Sequence, residues 1–449
     1  YGRPNLTLSP RFEALGEALA VIFDVADGEK SMAIFEKSPL TAYGVTCIYP
    51  QIPDIQPYHN NAVWPFVQSY WNIAAAKTGN EAALVHGLSA IYRAGAFFLT
   101  NYENFVAQTG DFEGTAINSD RMLWSMAGNL AMVHRIFMGI SFETGGIRFS
   151  PKVPKAFGGT KSLSGFKYRD AILNITVNGY GENIASILLD GRPLPNAFLP
   201  ASVTGEHSIT IEMNNESFRN KKINLVLNHF SLPDPKVSIE VNEIKWQPLN
   251  NVAFYQVYKN GRTFTGTADT LLVIDTTETA EYKVSAVDKE GWESFTSEPI
   301  LVVADDGVKV IEVENFAPES ELPYKNYTGD GFVEVSNTLN RTIIIKVNVD
   351  KPGKYLADFR YSNGSGPWNT DNKCAIRSLY VDESYAGVVV FPQRGTGMWS
   401  DWGYSNPYFL DLKEGENTIK LSFEPWNINM NVDINTAMLD NLRIIYFDH

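Results

Sequence analysis

The sequence predicts a multidomain chain in which one all-α unit is followed by three all-β units. Three observations carry that prediction. At 449 residues the chain is longer than one small domain. Up to about residue 140, apolar residues recur at steps of three and four, as on a helix face. From about Gly145 onward, short runs alternate apolar and polar residues and are broken by Gly, Pro and Asn, as in strands and hairpins.

The helical unit, residues 1–144, is read in order. "SPRFEALGEALAVIFDVA" opens the first helix, with Ser9 as N-cap, Pro10 at the first helical position and Phe12, Leu15, Leu19, Ile22 and Phe23 on one face. "GEKSMAIFEKS" is a second, shorter helix. Asn61 to Thr78 and Glu81 to about Glu103 form a third and fourth, separated by "KTGNE", and Ser119 to Ile140 forms a fifth. The entry to the third, "PYHNNAVWPF" at residues 57–66, is a good helix start. Asn60 or Asn61 can cap it, and Pro65 suits a first turn, where a missing N–H costs little. Capping leaves Tyr58, His59 and Trp64 unexplained: such rings can wall a sugar site or fill a core.

The β units follow at 145–232, 233–304 and 308–449, with "ADDG" at 304–307 as a linker. The net charge of −14 argues against a nucleic-acid partner, and no run of about 18 apolar residues suggests a membrane span. An uncharged partner such as a carbohydrate is compatible with that balance, and an aromatic content of 12% suits sugar surfaces as well as β cores. Cys47 and Cys374 give neither a metal spacing nor a disulfide framework, and the six His residues form no zinc pattern.

Residues 234–304, with Trp246, "AFYQVYKNG" and "EYKVSAVDKEG", resemble a fibronectin type III domain, which implies a spacer. Residues 308–449 resemble a carbohydrate-binding module of family 6 or its close relatives through "VIEVENF", "GDGFVEV", "DKPGKYLADFRYSNG", "GTGMWSDW", "LKEGENTIKLSF" and "LDNLRI". That resemblance implies a structural Ca²⁺ held by Glu312, Glu314 and Asp440. Hard oxygen ligands from distant strands suit that ion, although Glu312 and Glu314 taken alone could share a solvent face. It also implies sugar stacking on Tyr361, Trp399 and Trp402, with hydrogen bonds from Asn363, Asp433 and Asn435. The added "GPWNTDN" at 366–372 alters the groove.

The helical unit, through "TAYGVTCIYPQIPDIQPYHNNAVWPFVQSYWNIAAAKTGN" and "GDFEGTAINSDRMLWSMAGNLAMVHRIFMGI", resembles the glycoside hydrolases built on a six-hairpin α/α toroid. These include α-L-rhamnosidases, trehalases and glycogen-debranching enzymes. The resemblance implies that Tyr58, His59, Asn60 and Trp64 line a sugar subsite and that Glu113 is the catalytic base. Asp111 would be its neighbour or a sugar ligand, and Asn61 stands where the group commonly has Gly. Asp120 has a structural explanation, in the first turn of the fifth helix. Inverting hydrolysis needs two carboxyls about 6.5–9.5 Å apart, and a toroid of six hairpins needs about twelve helices. The expectation is therefore a partial α/α toroid followed by three β-sandwich units, the rest of the toroid and its general acid lying elsewhere in the same polypeptide. The fragment alone would be inactive. The intact protein would hydrolyse poly- or oligosaccharides with inversion, in an extracellular, periplasmic or cell-surface setting in a bacterium. The alternative is a non-catalytic carbohydrate-binding or adhesion protein.

Overall fold

The computed structural model describes residues 7–304, 307–366, 373–429 and 434–447. It is 39% strand and 17% helical, which overturns the all-α toroid expected for the first third of the chain. Two compact units are present: residues 10–233 with 290–294 form one, and the described parts of 1–9, 234–289 and 295–449 form the other.

Five α-helices lie among the described residues of the first unit: α1 (Ala14–Ile22), α2 (Gly28–Lys37), α3 (Pro65–Thr78), α4 (Glu81–Phe98) and α5 (Leu123–Ala131). Helix α2 follows an Asp27 cap, as its side chain accepts the Lys30 N–H. Helix α1 starts later than expected, because Phe12–Glu13 is held extended against Ile48–Tyr49. The cap is Glu13, whose carboxylate accepts the N–H groups of Leu15 (3.1 Å) and Gly16 (2.6 Å). Asn60 and Asn61 do not cap α3 either. Its N-cap is Trp64, with Pro65 at the first position and no side-chain cap bond. Helix α5 begins at Leu123 and passes into a π-helical turn at Met132–Phe137, so Asp120 lies before it.

Helix α3 is the hub on which α1, α4 and α5 pack. Two glycines permit the approach. A Cβ at Gly87 of α4 would fall 1.8 Å from Asn72 Oδ1, and one at Gly128 of α5 would fall 2.3 Å from Ser69 Oγ. Trp71 is fully buried, with Phe12 and Phe35 against its ring.

What makes this unit something other than a stack of α-hairpins is the return of the chain after residue 213. Asn224–Leu225 pairs in parallel with Pro39–Leu40, and single bridges join Asn220 to Asn80 and Phe230 to Gln51. A two-residue strand leaves no period in the sequence, so this interleaving could not be read there. Between helices and return lies a five-stranded sheet ordered 192–193, 184–189, 205–213, 171–178, 161–168. The pairing of Gly205–Met213 with Ala171–Asn178 is parallel. Its alternating residues Ala171, Leu173, Ile175 and Val177 join one core with Trp71, Leu84 and Met132 of the helical part.

In the second unit, residues 237–302 form a three-stranded and a four-stranded sheet, with Trp246 buried edge-on to Tyr255 at 5.4 Å. Beyond residue 307 comes a two-sheet sandwich. One sheet centres on Ala437–Tyr446, flanked by Val308–Glu312 and Val333–Val335 on one side and Gly353–Ser362 on the other. The second runs Thr342–Val349, Gly415–Ser422, Ala375–Val381, Ser384–Phe391. Ile343, Ile345, Val347 and Val349 point inward against Phe359, Leu439 and Leu442.

The buried Asn80 caps α4 by accepting the Ala83 N–H (3.0 Å) and donates to Lys222 O (2.8 Å). Asn80→Ala is expected to lower stability by about 1–2 kcal/mol, because it removes a cap and the bond to the returning segment at Lys222. Urea unfolding checks this; an unchanged midpoint would show that the return segment is not anchored there.

Candidate functional site

Two places gather the residues that carry chemistry, one in each unit. In the first, the segments 57–64 and 103–118 meet through a short antiparallel ladder that pairs Ala62 with Val106 and Val63 with Phe105. Ala107 N–H donates to Asn61 O (2.9 Å), and Thr115 Oγ1 donates to Pro57 O (2.8 Å). The predicted residues divide sharply. Trp64 is buried and donates its Nε1 to Tyr58 O (2.6 Å). Asn60 is a buried staple, accepting from Ile52 N–H and donating to the carbonyls of Ile52 and Ile55. Neither side chain is presented to a ligand. His59 is exposed and leans on Tyr58 (4.6 Å) and Trp64 (4.8 Å).

Glu113, the expected base, is exposed, and its N–H donates to Asp111 Oδ1 (3.2 Å). No side-chain partner holds the Glu113 carboxylate among the described residues. The carboxylate that the fold does hold is Glu103, which the sequence reading did not single out. It is buried, accepting from Tyr58 Oη (3.0 Å) and from Asn118 N–H (2.8 Å). Burial, then the Glu103 contact, keeps the Tyr58 hydroxyl above its usual pKa.

In the sandwich of the second unit, three of the predicted sugar contacts turn out to be internal. Tyr361 is 4% exposed and packs on Phe391. Asn363 is buried, with its amide on the carbonyls of Lys373 (3.0 Å) and Phe391 (2.9 Å). Asn435 is buried and accepts from Ile376 N–H. Asp433 and residues 367–372 of the insertion lie outside the described residues. Both tryptophans, by contrast, are half-buried and face partly outward. Trp399 lies parallel to Tyr324 (5.6 Å, 10°) and over Gly364, where any Cβ would strike its ring at 2.6 Å. Trp402 donates its Nε1 to Lys325 O (2.7 Å), meets Phe332 edge-on and carries the Arg360 guanidinium 5.7 Å above its ring.

Beside this ledge, Glu312, Glu314 and Asp440 lie round the turn 328–331. Glu312 ends its strand and Glu314 sits in the 3₁₀ turn Val313–Asn315, which brings the two round rather than leaving them on one solvent face. Asp440 comes from the central strand and is fully buried. Thr328 joins them. Its N–H donates to both Asp440 oxygens (3.1 and 3.2 Å), and its Oγ1 lies 3.1 Å from Asp440 Oδ1 and 3.4 Å from Glu312 Oε2. Asn441 Nδ2 donates to Thr328 Oγ1 (2.7 Å). The carboxylates crowd Gly329, where a Cβ would stand 2.8 Å from both Glu312 Cδ and Glu314 Oε1.

Burial pushes the Glu312 and Asp440 carboxyls upward. Glu314 and Asp440 add to the rise at Glu312, and Arg360 opposes it at Asp440. Two oxygens here, Glu314 Oε2 and Asn441 Oδ1, are buried without a hydrogen-bond partner among the described residues. An all-oxygen donor set with mutual repulsion and two unsatisfied oxygens fits a hard divalent cation such as Ca²⁺. Thr328, Arg360 and Asn441 were missed from sequence. The one local signal for them was the "TGDG" turn at 328–331.

No protein-family model matches the chain. Over 124 residues it is 31% identical to an isomaltosyltransferase of Sporosarcina globispora, which is 26% of this chain and 10% of that enzyme. Over 125 residues it is 30% identical to a cycloisomaltooligosaccharide glucanotransferase of Niallia circulans, 28% of this chain and 12% of that enzyme. The chain thus spans about a tenth of the length of the curated relatives it matches. Among solved structures, it is similar to a cycloisomaltooligosaccharide glucanotransferase of a Paenibacillus species complexed with cycloisomaltoheptaose. That match has 26% identity, 30% of this chain, 18% of that one and a TM-score of 0.25. A family 35 carbohydrate-binding module from an environmental isolate aligns at 23% identity over 31% of this chain and 93% of the module, with a TM-score of 0.24. Both TM-scores are too low to carry an argument. No helix among the described residues is long and apolar enough to cross a membrane.

Adding Ca²⁺ to protein stripped with a chelator is expected to raise the melting temperature, by the equivalent of about 2.7 kcal/mol at a hundredfold excess over Kd. Gly329→Ala, which combines a left-handed φ of +65° with the clash above, should abolish that rise. Differential scanning calorimetry with and without the ion checks both; equal shifts in the two proteins would remove the cradle from consideration.

Proposed function

We propose that this chain belongs to a carbohydrate-active enzyme and that its C-terminal sandwich binds glucan of the isomalto-oligosaccharide type, with Ca²⁺ in the Glu312, Glu314, Asp440 cradle. The observation that carries the reading is the 30–31% identity to two enzymes whose names place them on isomaltosyl and cycloisomalto-oligosaccharide chemistry. The family 6 resemblance of residues 308–449 is refined accordingly, toward a carbohydrate-binding module without commitment to that family. Residues 234–304 serve as a spacer. The bacterial sources of those enzymes agree with a secreted or surface-attached protein acting on polysaccharide.

The chemistry of the ledge supports this assignment. A pyranose offers an apolar C–H face that an indole can cover, while its hydroxyls need donors and acceptors at the rim. Trp399 and Trp402 supply half-exposed indoles whose orientations are fixed by Tyr324, Gly364 and Lys325. Arg394 and Asp401, paired at 3.3 Å, supply polar groups beside them. A ring held in place before the ligand arrives loses little entropy on binding.

Inverting hydrolysis by Glu113 forms no part of the proposal. The mechanism needs a base and an acid facing each other across a substrate. Glu113 is exposed on its loop, and the carboxylate that the fold does hold, Glu103, is already engaged by Tyr58 and Asn118.

The full chain is expected to bind isomalto-oligosaccharides in isothermal titration calorimetry. Trp399→Ala, with its fold verified by circular dichroism, should weaken binding at least about fivefold, the loss of one good aromatic contact. Undetectable binding, or a folded Trp399→Ala variant with unchanged affinity, would overturn the assignment.

A further inference from the structure

Arg360 stands where the oxygen cradle and the aromatic ledge meet, and it touches both. From the Gly353–Ser362 strand it places Nη1 on Asp440 Oδ2 in a close ion pair. Its Nη2 donates to Asn326 O (3.0 Å), and the guanidinium face lies 5.7 Å above the Trp402 ring. The loop 324–331 is tied to both of these residues and also to Glu314, whose Oε1 accepts the N–H groups of Asp330 (3.2 Å) and Gly331 (3.1 Å). Thr328 ties it to Asp440, and Asn326 O ties it to Arg360. That loop also carries Tyr324, the stacking partner of Trp399, and Lys325, whose carbonyl holds Trp402 and whose N–H donates to Ser400 Oγ (2.9 Å).

Asp440 is therefore shared. Its carboxylate is fully buried and carries Arg360 on one side and Thr328 on the other. Glu312 and Glu314 bring two further carboxylates to the same place, against the positive charge of Arg360. When Asp440 turns its oxygens toward a cation among these carboxylates, part of the demand that now holds Arg360 is met elsewhere. Arg360 can loosen from Asp440 only by shifting against Trp402 and Asn326, because all three contacts belong to one planar group.

We infer that Arg360 couples the cation cradle to the sugar ledge, so that occupancy at Glu312, Glu314 and Asp440 sets the positions of Trp402 and the 324–331 loop. The inference rests on the cradle taking a cation and not on which sugar binds. Coupling of this kind is reciprocal: whatever factor the cation contributes to ledge affinity, a ligand on the ledge returns to cation affinity. Arg360 acts here as a positioning residue, touching both sites without belonging to the donor set of either.

The test uses the full chain stripped of metal and titrated with Ca²⁺ and, in parallel, Tb³⁺, with tryptophan emission as the readout. Subtracting the Trp402→Phe titration isolates the Trp402 signal. In the unsubstituted protein that signal should change with the same midpoint as cation binding. In Arg360→Gln the cation should bind several-fold more tightly, since a positive neighbour is gone, while the Trp402 response disappears. Arg360→Lys keeps the charge but cannot span Asp440 and Asn326 together, so it should also lose the response, and it serves if the Gln variant does not fold. A Trp402 response that survives in either variant, weaker cation binding in Arg360→Gln, or no Trp402 response in the unsubstituted protein would each overturn the inference. No sugar enters these titrations, so a failure of the glycan assignment is read separately.

Discussion

A carboxylate with no solvent exposure governs the C-terminal sandwich. Asp440 sits in the central strand of a sheet, where an uncompensated negative charge would cost several kcal/mol. Its compensation has to be gathered from elsewhere in the chain, and what is gathered organises one end of the domain. Arg360 comes from the neighbouring strand, Thr328 from the 324–331 loop, and Asn441 fixes the Thr328 hydroxyl. That loop then brings Tyr324 and Lys325 to the tryptophans. The aromatic ledge and the buried charge thus share one loop.

The first unit depends on the same logic, with amides in place of a carboxylate. Asn80 caps α4 and reaches the returning segment at Lys222, while Gln68 and Asn72 bond each other on the buried face of α3. Gln68 Oε1 also accepts the Val45 N–H at 2.8 Å. Asn80 and Gln68 in this way satisfy the buried N–H groups of Ala83 and Val45.

How much of this was legible follows from how far each cause lies from its effect along the chain. The change of texture near Gly145 could be read because alternation is local, and α2 was legible because its cap and helix are contiguous. For helices α1, α3 and α5 the local pattern predicts starts that lie too early. Their true starts are set by an extended pairing with Ile48–Tyr49, a staple from Asn60 to Ile52, and a loop tied to Asn101, where Met122 N–H finds its acceptor. The toroid reading failed for a related reason, since the pairing of 224–225 with 39–40 leaves no mark on either segment alone. In the sandwich, Glu312, Glu314 and Asp440 could be found through resemblance. Arg360 looked like one more residue of a strand, and Tyr361 beside it drew attention because rings suggest sugars. Alternation along that strand turns Tyr361 into the core and Arg360 toward the cradle, a distinction of register that the sequence leaves open.

The same distinction settles the segment 57–66. Tyr, His and Trp in close succession suggest a single wall, but their backbone directions separate them. Trp64 turns inward to donate to Tyr58 O, Tyr58 lies at the boundary with its hydroxyl on Glu103, and His59 alone of the three is exposed. A stacking surface needs a free ring face, and the face of Trp64 is spent on its neighbours. Aromatic density in a sequence is therefore weak evidence for a sugar site until the partners of each ring are known. Trp399 and Trp402 pass that test where Tyr361 and Trp64 fail it, because their packing contacts fix the indoles while leaving part of each outside the core.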